Sequence, residues 1–266
     1  MAISTTAALE TAFAKAQLVS FDKASVTTTT GRWTSLFAAA STTGAGSLSV
    51  GNTTSGVIPT DATAGCVPIR DAAGGNSLYL ARAVVTASTP AWLMIYDRLW
   101  HAGSFSLTSA ATTTLSGVPA LTRPDSTGAD TQLWLEVNAA ASNTAISVTA
   151  SYTNSAGTSG RTATLDTTLA NVNAGSMFPF RLAAGDTGVR SVQSVTVATP
   201  GTTGSANLVI LRPLVEAVID NESRPCVLDW TQLALPSVAS DAALAVMALY
   251  SSGAPGVFAT LTLVEG

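Results

Sequence analysis

SLYLARAVV (77–85) and AWLMIYDRLW (91–100), separated by Ser88-Thr89-Pro90, decide the fold. Both runs are apolar, β-branched or aromatic and end at turn-forming residues, so they read as buried strands joined in a hairpin. The signal recurs at short intervals in TQLWLEVN (131–138), AISVTASYT (145–153), RTATLDTT (161–168), FPFRL (178–182), RSVQSVTVA (190–198), ANLVILRPL (206–214) and VFATLTLVE (257–265). Turn residues fill nearly every gap, as in Arg123–Gly128, Asn154–Gly157 and Ala184–Gly188. Within 145–153, Val148, Ala150 and Tyr152 share one face and Thr149, Ser151 and Thr153 the other, the pattern of a half-buried antiparallel strand with a hydroxyl-covered outer side. SDAALAVMALY (240–250) suits a helix by composition, but it precedes a turn and a clear strand and reads as strand. The expected fold is mainly β: an antiparallel sandwich, or a jelly-roll or barrel-like body.

Upstream the pattern differs. STTAALETAFAKAQLV (4–19) predicts a helix capped by Ser4 or Thr5, with Leu9, Phe13, Ala16 and Leu18 on roughly one face. The Thr27–Thr30 run ends it, Gly31–Phe37 reads as a second short helix or turn, and Ser41–Gly56 as a Gly/Ser/Thr connector. Residues 1–56 are therefore expected to form a partly flexible N-terminal arm, and residues 57–266 a β-rich body with a sub-domain split near 170–180. A lone helix this short is marginal in water, so the arm is expected to gain order on a neighbouring surface. Its anchors would be Leu9, Phe13, Leu18, Phe21, Trp33, Leu36 and Phe37.

Composition excludes several function classes. Of 266 residues only 11% are charged, with a single histidine and two lysines, Lys15 and Lys23. A net charge of −4 and the absence of any Lys/Arg cluster argue against nucleic-acid binding. No apolar run reaches the length of a spanning helix, and the first residues lack a signal peptide's basic and apolar regions, so no membrane partner is expected. His101 would have to serve any Ser-His-Asp or Cys-His arrangement, and it reads instead as a structural histidine at a strand end. Cys66, Cys226 and His101 lack the paired spacing of a zinc site, and the two cysteines read as separate thiols. The carboxylate pairs Asp125/Asp130 and Asp220/Glu222 lie in turns, and GAGSLSVG (44–51) lacks the Lys-Ser/Thr of a phosphate loop. No catalytic residue, cofactor or metal is expected. Trp33, Trp92, Trp100, Trp134 and Trp230 are assigned to core packing, and Arg82, Arg98, Arg161, Arg181, Arg190 and Arg212 to directional pairing with acids across an interface.

Five motifs carry a resemblance: N-x-LYLAR (76–82), YDRLW (96–100), ALTRPD (120–125), ASYTNxAGTSGRT (150–162) and AGDTGVRSVQSVT (184–196). Together with their surroundings, over roughly residues 74–266, they resemble a group of tailed-bacteriophage virion structural proteins, and the chain is most like a capsid decoration or cement protein. The resemblance implies a non-enzymatic homo-oligomer, a trimer, seated on the major capsid protein at the capsid surface after assembly in the host cytoplasm. The alternatives are a tail or fibre component that binds host glycans, and a virion glycan hydrolase with a carboxylate pair.

Overall fold

The computed structural model describes residue 3 and residues 5–27, 29–142, 144–222, 224–250 and 255–266. Helix α1 (Thr6–Phe13) is followed by β1 (Gln17–Lys23), β2 (Trp33–Ser35), β3 (Asn52–Val57), β4 (Leu78–Ala87), β5 (Ala91–Ser106) and β6 (Ala111–Thr114). Then come β7 (Gln132–Ala139), β8 (Ser147–Asn154), β9 (Arg161–Leu165), β10 (Ser176–Arg181), β11 (Val189–Thr199) and β12 (Ser205–Ile219). The chain ends with β13 (Cys226–Asp229), the one-turn helix α2 (Trp230–Leu233), β14 (Ser237–Val238), β15 (Leu244–Tyr250) and β16 (Val257–Glu265). The mainly β expectation is met.

Among the described residues the strands form two antiparallel sheets. The smaller runs β1-β16-β4-β13, with β14 also on β4. The larger runs β2-β15-β5-β12-β7-β10-β9-β8-β11-β6, and an additional β2–β10 pairing closes β2, β15, β5, β12, β7 and β10 into a six-stranded barrel. β4 and β5 do not form the expected hairpin. β4 pairs with β16 and β13, β5 with β12 and β15, and Ser88–Pro90 carries the chain from one sheet to the other. An apolar run reads the same whether its neighbour in sequence is its partner or lies in the facing layer.

β5 and β12 are long enough to serve two cores. Their ends near Leu93, Ile95, Val215 and Ala217 pack on the smaller sheet through Leu80, Val85, Ala259 and Leu261. Their other halves, with Leu99, Phe105, Leu208 and Ile210, pack with Ile146, Val148, Tyr152 and Val192 of the β8–β11 region. The two cores therefore divide between Ile95 and Leu99 and again between Ile210 and Leu214, not near 170–180. A third cluster, including Met94, Tyr96, Trp134, Met177, Val209 and Met247, combines residues from five of the six barrel strands.

The N-terminal residues are part of this body. Helix α1 is shorter than expected, is capped by Thr5, and lays Leu9 and Ala12 on Ala81 and Val264; Ser4 lies outside the described residues. Val19, Phe21 and Lys23 alternate inward along β1, which pairs with β16 over its whole length. The Gly31–Phe37 segment contains strand β2 in place of a helix. The expected flexible connector is tied down by fit. A side chain at Gly46 or Gly65 would collide with Phe37 or its backbone, and Lys23 Nζ donates to Gly65 O at 2.7 Å. Lys23 is 1% exposed, an inward-facing charge on an edge strand, a device that discourages indiscriminate edge pairing.

Phe21→Ala is expected to cost about 3–5 kcal/mol, since the ring is 1% exposed inside the sandwich core. Deleting residues 1–30 should abolish the cooperative urea transition, because it uncovers β16 along a full strand. A truncated protein that melts like the full chain would restore the independent arm.

Candidate functional site

Three knots of paired arginines and carboxylates brace the described body. In the first, Arg98 of β5 grips Glu136 of β7 with both ends of its guanidinium, Nη1 to Oε1 at 2.9 Å and Nη2 to Oε2 at 2.6 Å. Both side chains have zero exposure. Arg98 Nε donates to His101 Nδ1 at 2.8 Å, and the guanidinium carbon lies 4.6 Å from the centroid of the Phe37 ring. Asn207 of β12 donates through Nδ2 to Glu136 Oε2 at 3.1 Å and to Leu48 O at 2.7 Å. Three barrel strands and the connector thus share one network. Only a planar, multi-donor cation fits this arrangement.

In the second knot Arg123 Nε contacts both oxygens of Asp97 at 3.0–3.1 Å, while its Nη2 donates to Pro59 O and Arg98 O. Asp97 also accepts Ala243 N at 2.9 Å. In the third, Asp186 accepts from Tyr152 Oη, Asn154 Nδ2 and Arg161 Nε. The knots explain the motif residues in pairs. YDRLW meets ALTRPD through Asp97 and Arg123, and ASYTNxAGTSGRT meets AGDTGVRSVQSVT through Tyr152, Asn154, Arg161 and Asp186. Three of the six arginines expected to pair with acids across an interface, Arg98, Arg161 and Arg181, pair inside the chain instead.

Each knot sets the protonation of its members. Burial pushes the Glu136 carboxyl up, but the charge and hydrogen bonds of Arg98 reverse that and hold it below the ordinary carboxylate value. Burial, and then the Arg98 charge, push His101 down to about 3, so this histidine is neutral, consistent with Nδ1 accepting a hydrogen bond. Asp97 is raised by burial, which Arg123 only partly offsets. Hydrogen bonds from Arg161, Tyr152 and Asn154 draw Asp186 down to about 2. Burial raises the Cys66 thiol to about 11, and both cysteines are free.

The first two knots are internal braces, since Arg98, Glu136, Asp97, Arg123 and His101 are all buried, while the third is half-buried, with Arg161 partly exposed. His101 lies inside β5, not at its end. Among the described residues no group of three or more His, Cys, Asp or Glu is placed to hold a metal ion, and no helix is long and apolar enough to cross a membrane.

Several apolar side chains face outward among the exposed charges and hydroxyls. Of the seven expected anchors, Leu9, Phe21, Leu36 and Phe37 are buried in the body's own packing and Trp33 is half-buried. Phe13 (38% exposed) and Leu18 (71%) remain accessible. Leu18 shares the outer face of the smaller sheet with Phe258 (50%) and Val227 (43%), around the register row Ser20–Thr260–Val84–Val227. Sequence reasoning missed Phe258 and Val227, although alternation along VFATLTL does place Phe258 opposite Val257 and Ala259. It also placed every tryptophan in the core. Trp100 and Trp134 are there, but Trp230, in helix α2, is 40% exposed and Trp92, on β5, 58%.

No family model matches the chain, and no curated protein does. Among solved structures it is similar to the VP2 subviral particle of infectious bursal disease virus, at 10% identity and a TM-score of 0.19, over 94% of this chain and 80% of that one. A particle of the Gt strain of that virus matches at 11% identity and a TM-score of 0.19, over 94% and 80%. Superpositions this poor carry no argument about function.

Glu136→Ala is expected to lower stability by about 3–5 kcal/mol in urea denaturation, because it strands a buried guanidinium. The pH response follows from His101. Its folded value lies below its unfolded one, so the stabilisation is complete above about 6.5 and drains as pH falls toward 3, on the order of 1 kcal/mol per unit. Asp97, raised in the folded state, acts in the opposite sense. Denaturation midpoints from pH 7 to 4 should fall more steeply in the wild type than in His101→Gln. Equal slopes would contradict the assignment.

Proposed function

We propose that the chain is a structural protein of a virus particle, a decoration or cement protein that binds the major capsid protein at the shell surface, as a homotrimer, without enzymatic activity. The observation that carries this reading is the outer face of the smaller sheet. Leu18, Phe258 and Val227 stand exposed on a rigid surface that also carries Ser20, Thr260, Arg82 and Asp229, in a chain whose charge density is low for a soluble domain. The motif resemblance supports it, and so does the internal use of the motif arginines Arg98, Arg123 and Arg161, which stiffen the body.

Docking would bury this face against the assembled shell, over the roughly 800 Å² per partner of an ordinary specific interface. A protein that binds only the assembled state stabilises it by mass action. Lost mobility is small, because the face is already ordered by pairing of β1, β16, β4 and β13.

The test is co-sedimentation with undecorated capsids of wild type and of Leu18→Asp/Phe258→Asp. Both positions are exposed, so the variant should keep the wild-type melting temperature and bind at least tenfold more weakly. Wild-type protein that stays in the supernatant would contradict the reading, as would a variant that binds undiminished.

A further inference from the structure

A second surface, on the other sheet, has a different chemistry. Where β5 and β12 extend past the start of β7, four side chains line up across four strands in the order Trp33, Leu249, Trp92, Val218. Trp92 is 58% and Val218 56% exposed. Leu249, Trp92 and Val218 of the row floor a groove of about 460 Å³, bordered by Pro90, Gly31 and Asp220, and Trp33 lines an adjoining one. No basic side chain lines the groove. Along β12, Glu216, Val218 and Asp220 alternate outward while Val215, Ala217 and Ile219 are buried, which puts a carboxylate on each side of Val218. Among the described residues neither Glu216 nor Asp220 has an ion-pair partner.

An exposed indole face and two unpaired carboxylates attract the same thing, a cation on an apolar stem. We propose that this groove docks a segment of a neighbouring protein subunit that carries an arginine or lysine between apolar side chains. The cation would lie on Trp92 and pair with Asp220 and Glu216, and the flanking apolar groups would cover Leu249 and Val218. The length of the row favours a polypeptide over a small free cation. It spans three strand spacings, about 14 Å, so a lone ammonium would leave most of it uncovered. The site does not depend on the particle being viral, and it lies on a different sheet from Leu18 and Phe258. The two surfaces can therefore fail independently.

The experiment follows the five indole N–H resonances of the ¹⁵N-labelled full chain, with Trp92 identified by its loss in Trp92→Phe. The probes are acetyl-Val-Arg-Val-amide, its citrulline counterpart, spermidine and maltose. The arginine peptide should shift the Trp92 signal saturably, with a Kd on the order of 1 mM. The citrulline peptide, the Asp220→Asn/Glu216→Gln variant and added salt should each weaken binding, the first two about tenfold. Both acids are exposed, so the double variant keeps its fold. The proposal is overturned if the arginine peptide leaves Trp92 unmoved or if citrulline or the double variant makes no difference. It is also overturned if spermidine or maltose binds as tightly as the peptide, which would make the groove a polyamine or glycan site.

Discussion

An ion pair with zero exposure, Arg98–Glu136, sits where β5 passes from one apolar core to the other. Burying two charges is costly unless every donor finds an acceptor in good geometry, and here the guanidinium divides between Glu136 and His101 while Asn207 completes the carboxylate. That condition is met only when β5, β7 and β12 are in register and Phe37 is seated, so the pair specifies the barrel as well as sitting inside it. A slip of one residue in β5 or β7 would turn a charge toward the apolar layers, and one in β12 would remove the Asn207 amide from the carboxylate.

The second consequence concerns what is left outside. Arg98–Glu136 and Arg123–Asp97 take four of the chain's few charges inside, and the surface mixes sparse charges with many hydroxyls. Against that background the outward Leu18, Phe258, Trp92 and Val218 stand out as material for contacts.

Strand identity was legible wherever one face is buried and the other wet. Val148, Ala150 and Tyr152 lie inward in β8 as their alternation requires, and so do Val192, Val195 and Val197 in β11. What stayed hidden is what alternation does not encode. β4 and β5 look like hairpin partners because both are apolar, and only the facing layers decide that they belong to different sheets. β1 was read as the tail of a helix, since Val19, Phe21 and Lys23 are too few to display a period against the Ala-rich stretch before them. The connector has no hydrophobic period at all and is held by backbone carbonyls and by glycines pressed on Phe37. Arginine was recognised as a directional residue, but its partners lie 25–38 residues away, beyond any local signal.

The central claim is that the two cores, the barrel and the N-terminal strand form one unit braced at Arg98, leaving only surface side chains for partners. Native-state hydrogen exchange tests it most directly. The account predicts that hydrogen-bonded amides of β1, β5, β7 and β12 exchange through a common opening, with free energies that converge on the global unfolding value as urea is added. Amides of β1 that exchange orders of magnitude faster than those of β16, or a 99–210 lobe that opens on its own, would contradict it.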